Sequence, residues 1–597
     1  MGRSTPTPMQ TQALQRGSFV RLVLALLAVV PGVLRVGWDE PIFDAALLHG
    51  VQFALMLLYG INLLRARMRV PKAARAEFDK IHRPERLFLL VGLTLGAWSW
   101  VTLAIMGGGL AVTQMLRAYL LVVQTARIPS GIVFVGSFVL LIAVGTGGLL
   151  LPAATPADQP ISVLDATFTI TSAISQTGLV VRSTGEGFTR FGQVIILIWI
   201  QIGALGIIVF GALLASVLGS SFGLKATQTI AEGTEQGWAG QLSLQKLVTF
   251  IIVFTHGIEL IGALLLYVTW PETWPGAPDM STPGDRLYHA VFFSVSSFCN
   301  AGFVTTEGSL RGLRTDWTTH AIVAPLIVLG SIGFPVLENV FKVAWSRVRG
   351  RRVENGSLIR LNLNTKIILT TTLVVYVLGF IIIFLGELAQ AVPGVVDGPG
   401  TAAFDAHFMN INRTAGFDTI SPNDMGLLSQ LALIFLMFIG GSPGSVAGGI
   451  KLMAFAVLSL TIWATINGRR ETTAFGRTLP DELVRKCAAL VVMCLAGLLI
   501  TCGVLAITEH AHGMGAGPWD GTVPGLDVLL FEAVSAFGTC GLSMGITPDL
   551  SPMGRAAIIV SMFVGRVGPL AITASLIAVA ARRRVRYSYP TEDVVVY

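Results

Sequence analysis

Apolar residues follow one another almost without interruption along the chain, in stretches that are divided by short polar segments. Many stretches reach the roughly 20 residues that a helix needs to cross the hydrocarbon core of a bilayer. Charged residues make up only 13% of the 597 residues, against roughly 25% in soluble domains. The pattern excludes a soluble globular protein and predicts an all-α polytopic membrane protein.

The first 127 residues predict an N-terminal extension with about four transmembrane helices. Apolar runs cover residues 19–36, 46–64 and 87–106, and a weaker run, 110–126, contains Arg117. A voltage sensor would need several arginines at regular spacing, so we interpret the fourth run as a packed or interfacial helix. No convincing cleavage site follows the first run, which favours an uncleaved anchor.

From residue 131 onward one pattern occurs four times. An apolar helix is followed by a short semi-polar segment that ends in glycine and a bulky apolar residue, and then by a longer apolar helix. The glycines are Gly178, Gly302, Gly416 and Gly541, and they lie 124, 114 and 125 residues apart. Unrelated loops would rarely reproduce this spacing, which indicates four internal repeats.

A second-landmark glycine follows each of these four first-landmark glycines at a similar distance, 25, 28, 24 and 24 residues later. These glycines are Gly203, Gly330, Gly440 and Gly565. The predicted repeats are residues 128–245, 246–365, 366–485 and 486–581, followed by a tail, 582–597. The predicted flanking helices are 132–151, 191–218, 247–268, 321–343, 367–385, 427–439 with 452–465, 488–507 and 556–580.

Basic residues collect in the loops that follow the second, third and fourth repeats, and the opposite loops are acidic or neutral. The positive-inside rule places the basic loops and both termini in the cytoplasm. The semi-polar segments then enter the membrane from outside. The distribution of the basic residues therefore indicates the orientation of the protein in a membrane. It does not indicate nucleic-acid binding, although the net charge is +7.

Non-helical backbone at membrane depth is tolerated only where it is buried in protein or lines water, so four re-entrant segments indicate a central aqueous path. Glycine turns let carbonyl groups face that path, and rings of carbonyls can replace the hydration shell of potassium. The C-terminal end of each short helix carries partial negative charge and favours a cation. The sequence shows no metal, nucleophile or cofactor constellation typical of an enzyme, and potassium would be substrate, not cofactor. Five cysteines without a CxxC pair indicate neither a disulfide framework nor a zinc site.

The four semi-polar segments resemble those of the Trk/Ktr/HKT superfamily of potassium transporters, most closely the membrane subunit of the bacterial Ktr and Trk systems. The resemblance covers residues 131–580 and implies a single-chain pseudo-tetramer of four M1-pore-loop-M2 units, with extra N-terminal helices. Relatives with serine at the first filter glycine tend to admit sodium, so Gly178 favours potassium. The implied filter residues are Gln176, Thr177, Gly178, Leu179, Asn300, Ala301, Gly302, Phe303, Thr414, Ala415, Gly416, Phe417, Thr539, Cys540, Gly541 and Leu542.

The segment 438–449 is rich in glycine and contains a proline, and it should therefore break the second helix of the third repeat. The resemblance implies an intramembrane gating loop here; a kinked, closely packed helix is the alternative. Val446 stands where the family usually has threonine. Arg566 in the last helix corresponds to an arginine beneath the filter, either a barrier to potassium or a structural clamp on the loop. The implied gate residues are Gly440, Gly441, Ser442, Pro443, Gly444, Ser445, Gly448, Gly449 and Arg566.

Three other groups have two interpretations each. Glu532 either braces the fourth segment by bonding backbone N–H groups or coordinates the ion. His256 and Glu259, at i and i+3, form either a packed hydrogen-bonded pair or a proton relay. Arg413 either restrains the third segment or extends outward. The GxSxG match at Gly440–Gly444 lies between apolar helices, not in the strand-turn-helix context that catalysis by Ser442 would require.

The resemblance further implies a homodimer in the cell membrane, in contact with lipid. Because the chain contains no GxGxxG motif, a nucleotide-binding regulatory ring would have to be a separate cytosolic subunit. Ion flux down the electrochemical gradient is the favoured mechanism. The alternative is an obligatory symporter coupled to Na⁺ or H⁺, which would need inverted repeats, whereas these repeats are all parallel.

Overall fold

The computed structural model describes residues 8–38, 43–71, 75, 78–79, 82–125, 130–221, 244–350, 360–389, 398–512 and 524–568. The chain divides into two compact units. The first unit comprises Met1–Val133 and Leu151–Pro160, and the second comprises Phe134–Leu150 and Ile161–Tyr597. Five helices in the described part are long and apolar enough to cross a membrane: Phe19–Val36, Ala45–Arg69, Phe250–Thr269, Leu363–Ala389 and Asp481–His510. The chain is therefore a multi-pass membrane protein.

The first unit is a bundle of four helices. They are α1 (Pro8–Val36), α2 (Ala45–Arg69), α3 (Arg83–Thr94) and α4 (Trp100–Thr125). Pro84 stands in the first turn of α3, where its missing N–H costs no hydrogen bond. Buried Met56, Leu89 and Leu103 belong to the apolar core of the unit.

The boundary between the third and fourth predicted helices is wrong. The run 87–106 was expected to be one helix, but α3 ends at Thr94 and α4 begins at Trp100. Gly107, Gly108 and Gly109, which directly follow that run in the sequence, lie inside α4, where Gly107 and Gly109 allow close packing. A Cβ atom on Gly109 would lie 2.9 Å from the ring of Phe88, and one on Gly107 would lie 3.4 Å from the Ala28 carbonyl oxygen. Small residues at helix contacts have this effect in membrane bundles.

A bidentate ion pair joins the end of α2 to the basic segment that follows it. Arg67 donates from Nε and Nη2 to the two carboxylate oxygens of Asp79, at 2.8 and 2.9 Å. The hydrogen bonds from Arg67 hold the pKa of Asp79 below its usual value.

The described part of the second unit contains four helices that each end three or four residues before a first-landmark glycine, and these are called the short helices below. The short helices are α6 (Val163–Ser175), α9 (Pro283–Phe298), α13 (Pro399–Asn412) and α17 (Leu526–Gly538). At 13 to 16 residues they extend about 20–24 Å, less than the roughly 30 Å of a bilayer core. Ser162 and Thr282 cap the first two by accepting the N–H of Asp165 and Asp285, each at 3.1 Å.

The remaining helices of this unit flank the short ones along the chain. They are α5 (Ser130–Leu149), α7 (Arg190–Ser221), α8 (Leu244–Thr269), α10 (Ala324–Ile332), α11 (Phe334–Val348), α12 (Leu363–Ala389), α14 (Leu427–Phe438), α15 (Leu452–Ile466), α16 (Asp481–His512) and α18 (Pro552–Val567). A π-helical turn, Thr319–Val323, precedes α10. A two-stranded hairpin, β1 (Thr473–Ala474) and β2 (Arg477–Thr478), precedes α16.

The predicted helix 321–343 is also wrong, because the chain bends there by 103°. The break lies at Gly333, whose φ angle is 92°. Glycine alone adopts this conformation without strain, and Pro335 then occupies the first turn of α11, where no N–H is needed. By contrast, the predicted interruption of the helix 427–465 is confirmed, since α14 ends at Phe438 and α15 begins at Leu452. The last predicted helix, 556–580, and the tail, 582–597, lie outside the described residues from position 569 onward.

Three of the second-landmark glycines pack against the C-terminal end of a short helix. A Cβ atom on Gly203 would lie 2.8 Å from the carbonyl carbon of Ile174. Gly330 and Gly565 have the same relation to Phe298 and Phe537, at 3.1 and 2.8 Å. Each of these carbonyls belongs to the residue four positions before a first-landmark glycine. The similar spacing between the two sets of glycines in the sequence therefore corresponds to the same packing contact in three repeats.

Substitution of Gly203 tests this packing. Gly203→Ala should destabilise the protein by about 1–3 kcal/mol, because the new methyl group overlaps backbone that cannot move aside. Gly206→Ala is the matched control, since it lies in the same helix and no atom lies within 4 Å of its Cβ position. Both variants gain the same helix propensity. Thermal unfolding in detergent should show a lower melting temperature for Gly203→Ala alone, and equal melting temperatures would contradict the packing.

Candidate functional site

The four first-landmark glycines lie against one another in a closed ring, called the glycine ring below. The φ angles of Gly178, Gly302, Gly416 and Gly541 are 90°, 71°, 78° and 99°. A Cβ atom on Gly302 would lie 3.1 Å from the Cα of Gly178 and 3.2 Å from that of Gly416. One on Gly416 would lie 2.9 Å from the Cα of Gly541, and one on Gly541 would lie 3.0 Å from that of Gly178. Both the conformation and the space therefore require glycine.

Each glycine of the ring also lies against the carbonyl group that precedes a neighbouring ring glycine. The pairs are Gly178 with Ala301, Gly302 with Ala415, Gly416 with Cys540, and Gly541 with Thr177. The other predicted filter residues are all buried: Gln176, Thr177, Leu179, Asn300, Ala301, Phe303, Thr414, Ala415, Phe417, Thr539, Cys540 and Leu542. The structure thus brings all sixteen predicted filter residues together around backbone that carries no charge of its own.

Three of the short helices end in the same way. A left-handed residue follows the helix, at Gln176, Asn300 and Thr539, with φ angles of 57°, 54° and 49°. The next N–H donates back into the helix, for example from Thr177 to the Ser172 carbonyl at 2.9 Å. This geometry is a common helix C-terminus that satisfies otherwise free carbonyls. It turns the chain sharply toward the ring.

The third segment reaches the ring by a different path. Arg413 has a right-handed conformation, and the N–H of Ala415 donates to the Asn412 carbonyl at 2.8 Å. The side chain of Asn412 accepts the N–H of Phe417 at 2.9 Å. Gly416 therefore occupies the same position in the ring as the other three glycines, but the turn that precedes it has a different conformation.

Hydroxyl groups tie the other three turns to their helices. Ser172 and Ser535 accept the N–H of Gly178 and Gly541, at 3.1 and 3.0 Å. Ser296, at the same offset before Gly302, donates to the Phe303 carbonyl at 2.7 Å. These serines hold the glycine backbone in place without projecting into the ring.

Asn300 links the second segment to the third. Its side-chain oxygen accepts from the Thr414 hydroxyl at 3.0 Å, and its nitrogen donates to the carbonyls of Ser297 and Ile327 at 3.1 Å. This amide orientation satisfies both groups, because the opposite one would leave the oxygen facing acceptors only.

The interruption between α14 and α15, residues 439–451, is called the glycine loop below. It folds on itself through a bridge between Ile439 and Ile450 and through the N–H of Leu452, which donates to the Gly441 carbonyl at 3.0 Å. It lies next to the end of α17: a Cβ atom on Gly448 would lie 3.0 Å from the Cβ of Thr539. The loop therefore contacts a residue of the predicted filter directly.

The bend at Gly333 receives the glycine loop. Ser442 N–H donates to the Ser331 carbonyl at 3.0 Å, and Phe334 N–H donates to the Gly444 carbonyl at 3.1 Å. Val446 N–H donates to the Gly330 carbonyl at 3.3 Å. The sequence interpretation missed this contact, although the pairing of Gly333 with Pro335 was the signal that a helix break would lie there.

Arg566 is buried, with 7% of its surface exposed, and it joins the glycine loop to a predicted filter residue. Its guanidinium donates to the Val446 carbonyl and to the side-chain oxygen of Gln176. Lys451 adds a second cation, which donates to the Ala447 carbonyl at 2.7 Å. Two basic side chains therefore bond to the glycine loop, and the contact with Val446 uses its main chain, which the substitution for threonine does not alter.

Arg413 does not extend outward. It donates to the Leu436 carbonyl at 3.0 Å and also to the Ile439 carbonyl. These are carbonyls at the C-terminal end of α14, where an arginine satisfies groups that the interrupted helix leaves free. Arg413 thus fixes the start of the glycine loop.

Glu532 braces the fourth segment, but through hydroxyl groups and not through the backbone N–H groups expected. Ser543 donates to it at 2.9 Å, and Thr547 donates to its other oxygen. Both partners follow Gly541 in sequence, so Glu532 holds the chain that leaves the ring. Each of its two carboxylate oxygens accepts one of these hydrogen bonds.

The pair of His256 and Glu259 is confirmed as a hydrogen bond, at 2.9 Å. Glu259 also accepts from Gln201, at 3.0 and 3.1 Å, and from Cys299 at 3.5 Å. Sequence interpretation missed Gln201 and Cys299, because they lie 58 and 40 residues from Glu259. Ser442 has no arrangement of a histidine and an acid around it among the contacts of the described residues.

The chain is similar to known transport proteins along most of its length. The profile of the TrkH family, described as cation transport protein, matches residues 122–581. Ktr system potassium uptake protein B of Bacillus subtilis is 34% identical over 468 residues, which are 77% of this chain and 95% of that protein. Potassium/sodium uptake protein NtpJ of Enterococcus hirae is 31% identical, with the same shares covered.

A solved structure shares the fold. The crystal structure of the potassium transporter TrkH from Vibrio parahaemolyticus aligns with a TM-score of 0.56 at 19% identity, over 88% of this chain and 97% of that chain. The family match begins close to the boundary between the two units, so the extension of the first 121 residues lies outside it. From the profile match and the identity to its relatives, this chain belongs to the TrkH family of cation transport proteins.

Proposed function

We propose that this protein mediates potassium uptake through a carbonyl-lined filter at the glycine ring. The closed ring of four positive-φ glycines carries the proposal. It places uncharged backbone from four segments around one point, and carbonyl oxygens so placed can replace the water around a potassium ion. The relatives are named as potassium uptake proteins and, in one case, as a potassium/sodium uptake protein.

The short helices support a cation at this place. The short helices α6, α9, α13 and α17 end three or four residues before the ring glycines. A helix C-terminus carries about half of a negative elementary charge. Four such ends attract a cation without binding it as tightly as carboxylates would. The proposed architecture is accordingly a single-chain pseudo-tetramer of four M1-pore-loop-M2 units.

The glycine loop and Arg566 form the proposed gate. The loop contacts Thr539 from below and is held by Arg566, which also bonds Gln176 of the filter. Glycine-rich backbone can rearrange at low cost, whereas a buried arginine keeps its charge and opposes a cation. Release of Arg566 from the Val446 carbonyl would remove both the obstruction by the glycine loop and the electrostatic repulsion between the guanidinium and the cation.

The proposed setting is the cell membrane, with both termini in the cytoplasm. We further propose a homodimer that works with a separate cytosolic, nucleotide-binding ring subunit. Two relatives are named as parts of a Ktr system, proteins B and D, which supports a multi-component assembly.

Flux through the purified full-length chain in liposomes tests the function. Tracer uptake of K⁺ and Rb⁺ should exceed that of Na⁺, and it should not require a sodium or proton gradient. Uptake that occurs only with such a gradient would instead favour the obligatory symporter. Equal uptake of all three ions, or none by folded protein, would contradict the proposed filter.

Removal of the Arg566 side chain tests the gate. One charge a few ångströms from a permeating ion changes its energy by about 1–4 kcal/mol, so Arg566→Ala should raise potassium flux by about tenfold or more. Deletion of residues 440–448 should also raise it. Arg566→Lys keeps the charge and should remain nearer to the unsubstituted protein. Unchanged or abolished flux in a folded Arg566→Ala protein would argue against the gate.

A further inference from the structure

The N-terminal bundle encloses a cluster of charged and polar side chains. Glu85 is fully buried and accepts from the Tyr59 hydroxyl at 2.8 Å. Gln114 donates to the same hydroxyl at 2.8 Å, and Arg117 pairs with Glu85. An ionisable group inside a membrane bundle is costly and therefore usually has a function.

Arg21 contributes the unusual feature of this cluster. Only 4% of its surface is exposed, and its Nε and Nη1 atoms are buried without a hydrogen-bond partner among the described residues. It lies within electrostatic range of Tyr59, Glu85 and Arg117. Buried donors without acceptors cost substantial free energy. The guanidinium therefore calls for an acceptor that the described side chains do not provide.

The charges of the described side chains in the cluster do not balance. Arg21 and Arg117 carry two positive charges, and Glu85 carries one negative charge. The Nδ1 atom of His82 lies 2.8 Å from Nη1 of Arg117, and a guanidinium can only donate, so this nitrogen accepts and the ring is neutral. One positive charge thus remains in the cluster, which favours an anion.

The cluster lies at one end of the bundle, next to the basic segment between α2 and α3. Arg21 is near the beginning of the apolar part of α1, Tyr59 is in the second half of α2, and Glu85 is in the first turn of α3. Arg117, in the second half of α4, has 24% of its side chain exposed, which gives access from the surface. The basic residues at this end are Arg65, Arg67, Arg69, Arg83 and Arg86. They would attract anions toward the cluster.

We propose that this cluster binds a phosphate group through Arg21 and Arg117. Guanidinium groups suit phosphate because their N–H groups match its oxygens in pairs. The phosphate can belong to the headgroup of an anionic phospholipid or can be free in solution. This site gives the N-terminal extension a binding role that is separate from ion conduction.

The test measures ligand retention by the full-length chain in detergent. Native mass spectrometry with added phosphatidylglycerol, with phosphatidylcholine for comparison, detects a bound lipid, and equilibrium dialysis with radiolabelled inorganic phosphate detects the free ion. Arg21→Met should weaken binding of one of these two phosphate probes by about tenfold or more. Loss of phosphatidylglycerol would identify the lipid as the source, and loss of inorganic phosphate would identify the soluble ion.

Arg477→Met is the control, because Arg477 is an exposed arginine of β2 in the second unit and belongs neither to the cluster nor to the basic segment beside it. It should leave binding unchanged. Equal retention by Arg21→Met and the unsubstituted chain would overturn the proposal. Thermal unfolding of the unsubstituted chain is a second measurement that does not depend on a variant. One of the two probes should raise its melting temperature, and no rise with either would also overturn the proposal.

Discussion

The structure of the second unit depends on the close approach of four backbone segments at the glycine ring. At each ring position a side chain would meet a neighbouring Cα or carbonyl oxygen, and the φ angle lies in the left-handed region. This constraint fixes where each short helix must end. It also explains why the serines at Ser172, Ser296 and Ser535 bond to the turns, since a narrow ring leaves no space for side chains inside it.

Packing around the ring extends the same constraint outward. Gly203, Gly330 and Gly565 let long helices lie directly against the ends of short ones. The third repeat differs: a Cβ atom on Gly440 would lie 3.0 Å from the Cα of Gly449, within the glycine loop itself. In the other three repeats a long helix packs against the end of the short helix. In the third repeat the glycine loop, to which Arg413 and Arg566 bond, takes the place of that helix. The third repeat therefore has, in place of a packed helix, a loop that is held by hydrogen bonds, and these can be broken.

The sequence predicted the features that follow from periodicity and glycine spacing. The four ring glycines, the three packing glycines and the interruption after Phe438 all appear at the expected positions. Contacts between distant residues could not be predicted, because hydropathy carries no information about partners. The bonds from Arg413 to Leu436 and from Glu532 to Ser543 depend on the folded arrangement. The effect of a glycine on a helix could not be predicted from the sequence, because Gly333 breaks a helix whereas Gly109 lies inside a helix and permits close packing.

The central claim is that the glycine ring strips water from potassium and coordinates it with carbonyl groups. Anomalous diffraction from crystals grown in Tl⁺ or Rb⁺ tests this most directly, because both ions substitute for potassium and can be located without ambiguity. The account predicts anomalous peaks on the axis enclosed by Gly178, Gly302, Gly416 and Gly541, next to the carbonyls of the filter residues. Ions bound only at other places, with an empty axis at the ring, would contradict it.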